Sequence, residues 1–431
     1  MSANEPPQVI HRTIEAVWRI ESARVIAGLT RLTRDFDLAE DLAQEALVAA
    51  LEQWPHSGVP DHPGAWLTAT AKRRAIDLFR RNAVAARKHE ELARELEVLE
   101  QTAPDLDAIL DETISDDLLR LVFIACHPVL LAESRAALAL RLLGGLTTDE
   151  IARAFLTPEP TIAQRIVRAK RTLADKHIPF EVPRGLEFAT RLSSVLEVIY
   201  LIFNEGYSAT AGDDLMRPTL CEDALRLGRI LAELTPAEPE VHGLVALMEI
   251  QASRTRARVT STGEPVLLFD QNRTQWDQLL IHRGLAAIER AHQINTVRGP
   301  YLLQAEIAAC HAGARTPTET DWHRIVNLYT ELAQTIPSPV VDLNRAVAVS
   351  MAHGPQAGLT LVDALASDPS LAGYHLLSSV RADLLYKLGR HSEARTEFER
   401  AAALTRNNRE RGLLLTRAAS CETDPTHSSE N

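Results

Sequence analysis

The sequence predicts an all-α protein in which two small helical modules precede a long run of helix pairs, and three observations carry that prediction. Only 19 Gly and 22 Pro occur among 431 residues and aromatics are 5%, so turn-forming and strand-forming residues are scarce while Leu and Ala dominate. Apolar residues recur three and four positions apart through most of the chain, the period of a helix with one buried face. From about Arg191 onward amphipathic stretches follow one another with short breaks, the grammar of a stacked helical array. The length is a prior for two to four domains. A composition that is 45% hydrophobic and 24% charged excludes the disordered classes. No apolar run approaches the roughly 18 residues that a spanning helix needs. The first twenty residues, with Glu5, Arg12 and Glu15, lack the charged tip and apolar core of a secretion signal. A cytoplasmic protein with no membrane partner is expected.

Taken in order, the first clear element is Asp37 to Trp54, DLAEDLAQEALVAALEQW, where Leu38, Leu42, Ala46 and Ala49 make an apolar stripe beside an acidic one of Asp37, Asp41 and Glu45. Pro55 and HSGVPDHPG are expected to end it. A second helix starts near Pro63, a favoured first-turn residue, and buries Leu67, Ala71, Ala75 and Leu78. Lys72, Arg73, Arg74, Arg80 and Arg81 project from it, a placement that also suits the negative end of the helix dipole. The stretch from Glu90 to Asp117 reads as an acidic linker, and Leu118 to Leu143 as a buried helix pair broken at His127 and Pro128. In LTTDEIARAFLTPEPTIAQRIVRAKRTLADK, Thr147 and Glu150 have capping-box spacing. A stop at Leu156 to Pro158 precedes a restart at Pro160. In that restarted helix Ile162, Ile166, Ala169 and Leu173 face inward, leaving Thr161, Gln164, Arg165, Arg168 and Arg171 on the other side. A short capped helix, a tight turn and a second helix with a basic outer face is a helix-turn-helix pattern, whose second helix enters the major groove of DNA.

In the long remainder, Asn204 and Glu205 of FNEGYS are expected in a loop cap between two helices, with a small-molecule cleft as the alternative. Near the end Ala382, Gly389, Ala394, Phe398 and Ala401 have the small and aromatic spacing of a tetratricopeptide repeat, and a degenerate earlier copy begins near Asp342. A net charge of −12 looks wrong for a nucleic-acid binder, yet the charge is unevenly spread. Residues 1–90 hold 12 basic and 12 acidic side chains, 91–117 hold 1 and 10, and 118–180 hold 9 and 5. Neutral to basic modules are thus joined by an acidic segment and followed by a long acidic remainder. Cys126, Cys221, Cys310 and Cys421 are far apart with no CxxC, and no HExxH occurs, so no disulfide framework, metal site, cofactor or catalytic group is expected.

AEDLAQEAL followed by PGAWLTATAKRRAIDLFRR resembles region 2 of bacterial extracytoplasmic-function sigma factors, and TDEIARAFLTPEPTIAQRIVRAKRTL resembles their region 4. YLIFNEGYSAT, FDQNRTQWD, GPYLLQAEIAACHA and SPVVDLNRAVAV are similar to the helical extension of the subgroup that ends in tetratricopeptide-like repeats. The resemblance implies region 2 over 10–90, a linker over 91–117, region 4 over 118–180, the extension over 181–420 and a disordered tail over 421–431. It implies core RNA polymerase and promoter DNA as partners, with a regulatory protein or ligand at the extension. Asp37, Asp41 and Glu45 would dock on the polymerase clamp and Trp66 would assist promoter melting. Lys72, Arg73, Arg74, Arg80 and Arg81 would grip the proximal promoter element, and Thr161, Gln164, Arg165, Arg168 and Arg171 the distal one. The implied function is promoter recognition, melting and initiation, regulated in cis by the extension, and not an enzymatic one. Two other readings stay open: a direct DNA-binding regulator with a ligand- or protein-sensing repeat domain, and a helical-repeat scaffold or enzyme.

Overall fold

A computed structural model of the chain describes residues 7–85, 117–295 and 297–421. The linker assigned to 91–117, except Asp117, and the tail assigned to 421–431, except Cys421, lie outside the described residues. The described residues are helical almost throughout, and the chain divides into two compact units, residues 1–199 and 200–431.

In the first unit α1 (Pro7–Thr33), α2 (Phe36–Ser57) and α3 (Pro63–Ala85) pack on one another. The Asp35 carboxylate caps α2 by accepting from the Asp37 and Leu38 amides. Ala39, Ala43, Ala46 and Ala50 give α2 a small-residue inner face, which lets its neighbours approach closely around Ile26, Trp54 and Leu67. α2 ends within the expected stretch, though not at Pro55 itself. The helix runs on to Ser57 and stops at Gly58, whose φ of +83° favours glycine and whose N–H reaches the Trp54 carbonyl at 2.9 Å. A proline this near the C-terminus forfeits one intrahelical bond without breaking the turn that follows.

Helix α4 (117–125) and α5 (Ala132–Leu142) flank the break at His127 and Pro128. Next come α6 (Thr148–Ala154), with both bonds of the capping box made, and α7 (Glu159–Asp175). The turn between them passes through Leu156 at φ +47°, a left-handed conformation that costs an L-residue about 1–2 kcal/mol. As expected, Ile162, Ile166, Ala169 and Leu173 are buried. The division between units falls within α8 (Leu186–Tyr207), whose first half packs on α4 and α5. There Arg191 donates to the Phe123 carbonyl at 3.0 Å, and Arg135 binds Ser194 and Glu197.

The second unit continues through α9 (Pro218–Leu234), α10 (Pro239–Ala252), α11 (Gln278–Ile294), α12 (Pro300–Gly313) and α13 (Trp322–Thr335). It ends with α14 (Pro339–His353), α15 (Pro355–Leu365), α16 (His375–Lys387), α17 (His391–Leu404) and α18 (Asn408–Ser420). Five of these helices open on proline, whose fixed φ and missing N–H suit a first turn. The repeat-like positions behave as their spacing implies: Ala382, Ala394, Phe398 and Ala401 are fully buried between α16 and α17, and Gly389 turns the chain at φ +73°. The earlier copy is the α14–α15 hairpin, where a Cβ on Gly358 would stand 2.5 Å from that of Ser350. Asn204 and Glu205 are not in a loop: they occupy the last turns of α8. Glu205 reaches forward to Arg217 and to the Thr210 hydroxyl, bracing the segment that leads to α9. That segment also meets the residues just before α18. Ala211 and Gly212 pair in parallel with Arg406 and Asn407, and the buried Asn407 amide donates to the Ala209 and Asp214 carbonyls at 3.1 and 2.9 Å.

Candidate polymerase and promoter interfaces

With its alanine face turned inward, α2 carries Asp37, Asp41 and Glu45 on its exposed side, one turn apart. Asp41 has no ion-pair partner among the described residues, whereas Glu45 accepts from Arg74 of α3 at 2.9 Å. Asp37 is engaged from the other module: the Lys170 ammonium of α7 lies 2.7 Å from its carboxylate and 2.7 Å from that of Glu40.

Sequence reasoning missed Glu40. It is 6% exposed, and besides Lys170 it receives Arg141 of α5 at 2.6 Å and the Gln44 amide at 2.9 Å. Burial alone would raise its pKa, but Arg141 and Lys170 more than offset this and hold it below the ordinary carboxylate range. The same carboxylate raises the Lys170 pKa against the desolvation that would lower it. A second link joins the modules at Arg19 of α1, which lies 3.0 Å from Glu150, the capping-box acid of α6. A signal for these contacts was present: Arg141 interrupts the apolar run ALALRLL, where a cation needs a carboxylate.

The basic residues of α3 differ in exposure. Arg73, Arg80 and Arg81 are exposed. Lys72 is half-buried, and burial, followed by the nearby Arg31 charge, depresses its pKa despite the opposing pull of Asp117. Trp66 packs edge-on against the buried Trp54 with ring centres 5.3 Å apart and keeps part of its surface exposed. On α7, Gln164, Arg168 and Arg171 are exposed at offsets of four and three, and so share a face. Thr161 lies on the same side, half-buried. Arg165 is turned toward α5, where it pairs with Glu133. Arg171 is held only loosely by Asp175 at 3.6 Å.

No described helix is long and apolar enough to cross a membrane. Among the described residues no group of three or more His, Cys, Asp or Glu side chains is placed to hold a metal ion.

A capped helix-turn-helix together with a three-helix module bearing one acidic and one basic helix defines a promoter-recognising transcription factor. Residues 19–84 match sigma-70 region 2 and residues 120–173 match sigma-70 region 4. Residues 191–292 match a family of unknown function, DUF6596. An uncharacterized protein of Rhizobium meliloti (strain 1021) is 45% identical over 393 residues, covering 91% of this chain and 92% of that protein. The chain belongs to the sigma-70 family, as a sigma factor of the extracytoplasmic-function type with a helical C-terminal extension.

Proposed function

We propose that this sigma factor docks on the clamp of core RNA polymerase through the outer face of α2, with Asp41 and Glu45 as the leading contacts. The single observation that carries this is the row of exposed carboxylates one turn apart on a helix whose other face is packed with alanine, a rigid acidic stripe suited to a basic partner helix. Once bound, Arg73, Arg80 and Arg81 of α3 would meet the phosphates of the proximal promoter element, and Trp66 would stack on an unpaired base. Gln164, Arg168 and Arg171 of α7 would meet the distal element, with Thr161 beside them. Arg165 would join them on leaving Glu133.

On this reading the arrangement described is a closed one. Lys170 occupies Asp37, so polymerase docking would part α2 from α7, and the second unit, from residue 200 onward, would regulate that step in cis. The test is co-purification with core polymerase. Asp41→Arg with Glu45→Arg is expected to abolish retention while leaving the circular dichroism spectrum intact, because both side chains are exposed and reversal creates like-charge contact. Undiminished retention would remove α2 from the interface.

A further inference from the structure

The second unit contains a cavity of about 310 Å³ between the segment 254–271 and helices α16 and α18, a volume within the range of small-molecule sites. Two segments singled out in the sequence converge on it: FNEGYS supplies Tyr207, and FDQNRTQWD supplies Gln271.

Its polar wall is unusual in what it leaves unsatisfied. The Arg254 guanidinium lies over both Tyr207 and Trp276, 5.8 and 5.7 Å from the ring centres, and among the described residues has no carboxylate partner; its Nε is buried and has no hydrogen-bond partner among them. Arg258 lies over the same Tyr207 ring, 3.7 Å from its centre, and donates to the Tyr207 carbonyl. Gln271 is 8% exposed; its Nε2 donates to the Val266 carbonyl at 3.2 Å, and its Oε1 has no donor among the described residues. Glu410, the carboxylate among the described wall residues, accepts from the Thr405 hydroxyl at 2.9 Å, faces His375 at 3.3 Å and lies within the field of Arg258, all of which hold its pKa down against burial. Arg258 shares the charge of Glu410, while Arg254 has no carboxylate partner among the described residues, so the partly desolvated wall holds two guanidiniums against one carboxylate, a cost that a bound anion would relieve. Leucines make up the rest of the wall, among them Leu268, Leu376 and Leu414.

We propose that this cavity binds a small organic carboxylate with an apolar body and one hydrogen-bond donor. The carboxylate faces Arg254 and Arg258, the body lies on the leucines, and the donor meets Gln271 Oε1. Aromatic backing holds both guanidiniums in place without neutralising them, and with Glu410 shared only by Arg258 the charge of Arg254 is left for the ligand. The inference deepens the reading of the second unit as regulatory, but it is argued from that unit alone.

Calorimetry on the full chain tests it with two hydroxy acids as probes, 4-hydroxyphenylacetate for a ring-bearing body and 8-hydroxyoctanoate for a chain. At least one is expected to bind saturably with a stoichiometry of one. Tyramine, which replaces the carboxylate by an ammonium, is expected not to bind, a comparison that needs no variant. Arg254→Met should weaken the acid tenfold or more, and Gln271→Leu should erase the preference for 4-hydroxyphenylacetate over phenylacetate, with circular dichroism confirming that each is folded. Failure of both acids to bind, equal binding of tyramine, or unchanged affinity in Arg254→Met would overturn the proposal. Because binding is read directly, these outcomes are separate from polymerase retention, and loss of the α2 interface would leave them untouched.

Discussion

Replacing Lys170 by Met keeps an apolar stem and removes only the ammonium shared by Asp37 and Glu40. The two carboxylates lose very different amounts. The Asp37 side chain is 72% exposed, so its share is screened to well under about 1 kcal/mol. The Glu40 side chain is 8% exposed and loses a charged hydrogen bond of 2.7 Å, typically about 1.5–3 kcal/mol. Arg141 stays in place, so the loss falls short of the roughly 3–5 kcal/mol that follows when a buried charge is left with no partner. The expected cost is about 2 kcal/mol, or roughly thirtyfold in the balance between joined and parted modules. A double-mutant cycle of Lys170→Met with Glu40→Gln, read by denaturant unfolding, isolates this term. The pH dependence carries a sign. Because the folded Glu40 has a lowered pKa, its contribution is present above the ordinary carboxylate value of 4.5 and is lost as pH falls through the lower folded value. Lys170, with a raised pKa, contributes fully below 10.5 and loses its share as pH rises through the folded value. The coupling should thus persist between these limits, and Lys170→Met should bind core polymerase more tightly than wild type because Asp37 is released. Additive single-mutant effects within about 0.5 kcal/mol would refute the shared-ammonium account.

Further tests follow from local geometry. Gln164→Ala is expected to change base preference at the distal element in transcription from a randomised promoter, while Arg171→Ala lowers affinity evenly and reduces the salt slope by about one, since base contacts specify and phosphate contacts position. Leu156→Gly should stabilise the first unit by up to about 1 kcal/mol in thermal unfolding, because the residue is exposed and its positive φ costs nothing for glycine. Asn407→Ala should destabilise the second unit by about 3 kcal/mol, because it removes the cap of α18 and leaves two carbonyls without their donor; a melting temperature unchanged from wild type would contradict this.

Much of this was legible in the sequence because it is local. The capping box at Thr147 and Glu150, the inner face of α7 and the small residues between α16 and α17 follow from spacings of three and four, and the structure repeats them. The helix passes Pro55 before it ends because the rule for a helix interior weakens in the last turn. Glu40 was passed over because its three acidic neighbours form the conspicuous row, and because its burial depends on Arg141 and Lys170, more than a hundred residues away in sequence. The cavity of the second unit was hidden for a similar reason. Its motifs were visible as text, yet nothing local brings Tyr207 to Arg258 or leaves Gln271 Oε1 without a donor among the described residues.

The pairing of Ala211 and Gly212 with Arg406 and Asn407 changes how the second unit should come apart. An open array of helix pairs frays from its ends, each pair being held only by its neighbours. Here the outermost helix is fastened to the segment that opens the unit, so the weakest place in such arrays is stitched to a part already packed, and unzipping from the C-terminus is blocked until that fastening gives. Loss of only the last helix would therefore be felt at Ala209 to Asp214, almost two hundred residues upstream, before it was felt at most of the helices in between. Proteolysis near the end of the chain would act as a message delivered to the other end of the unit.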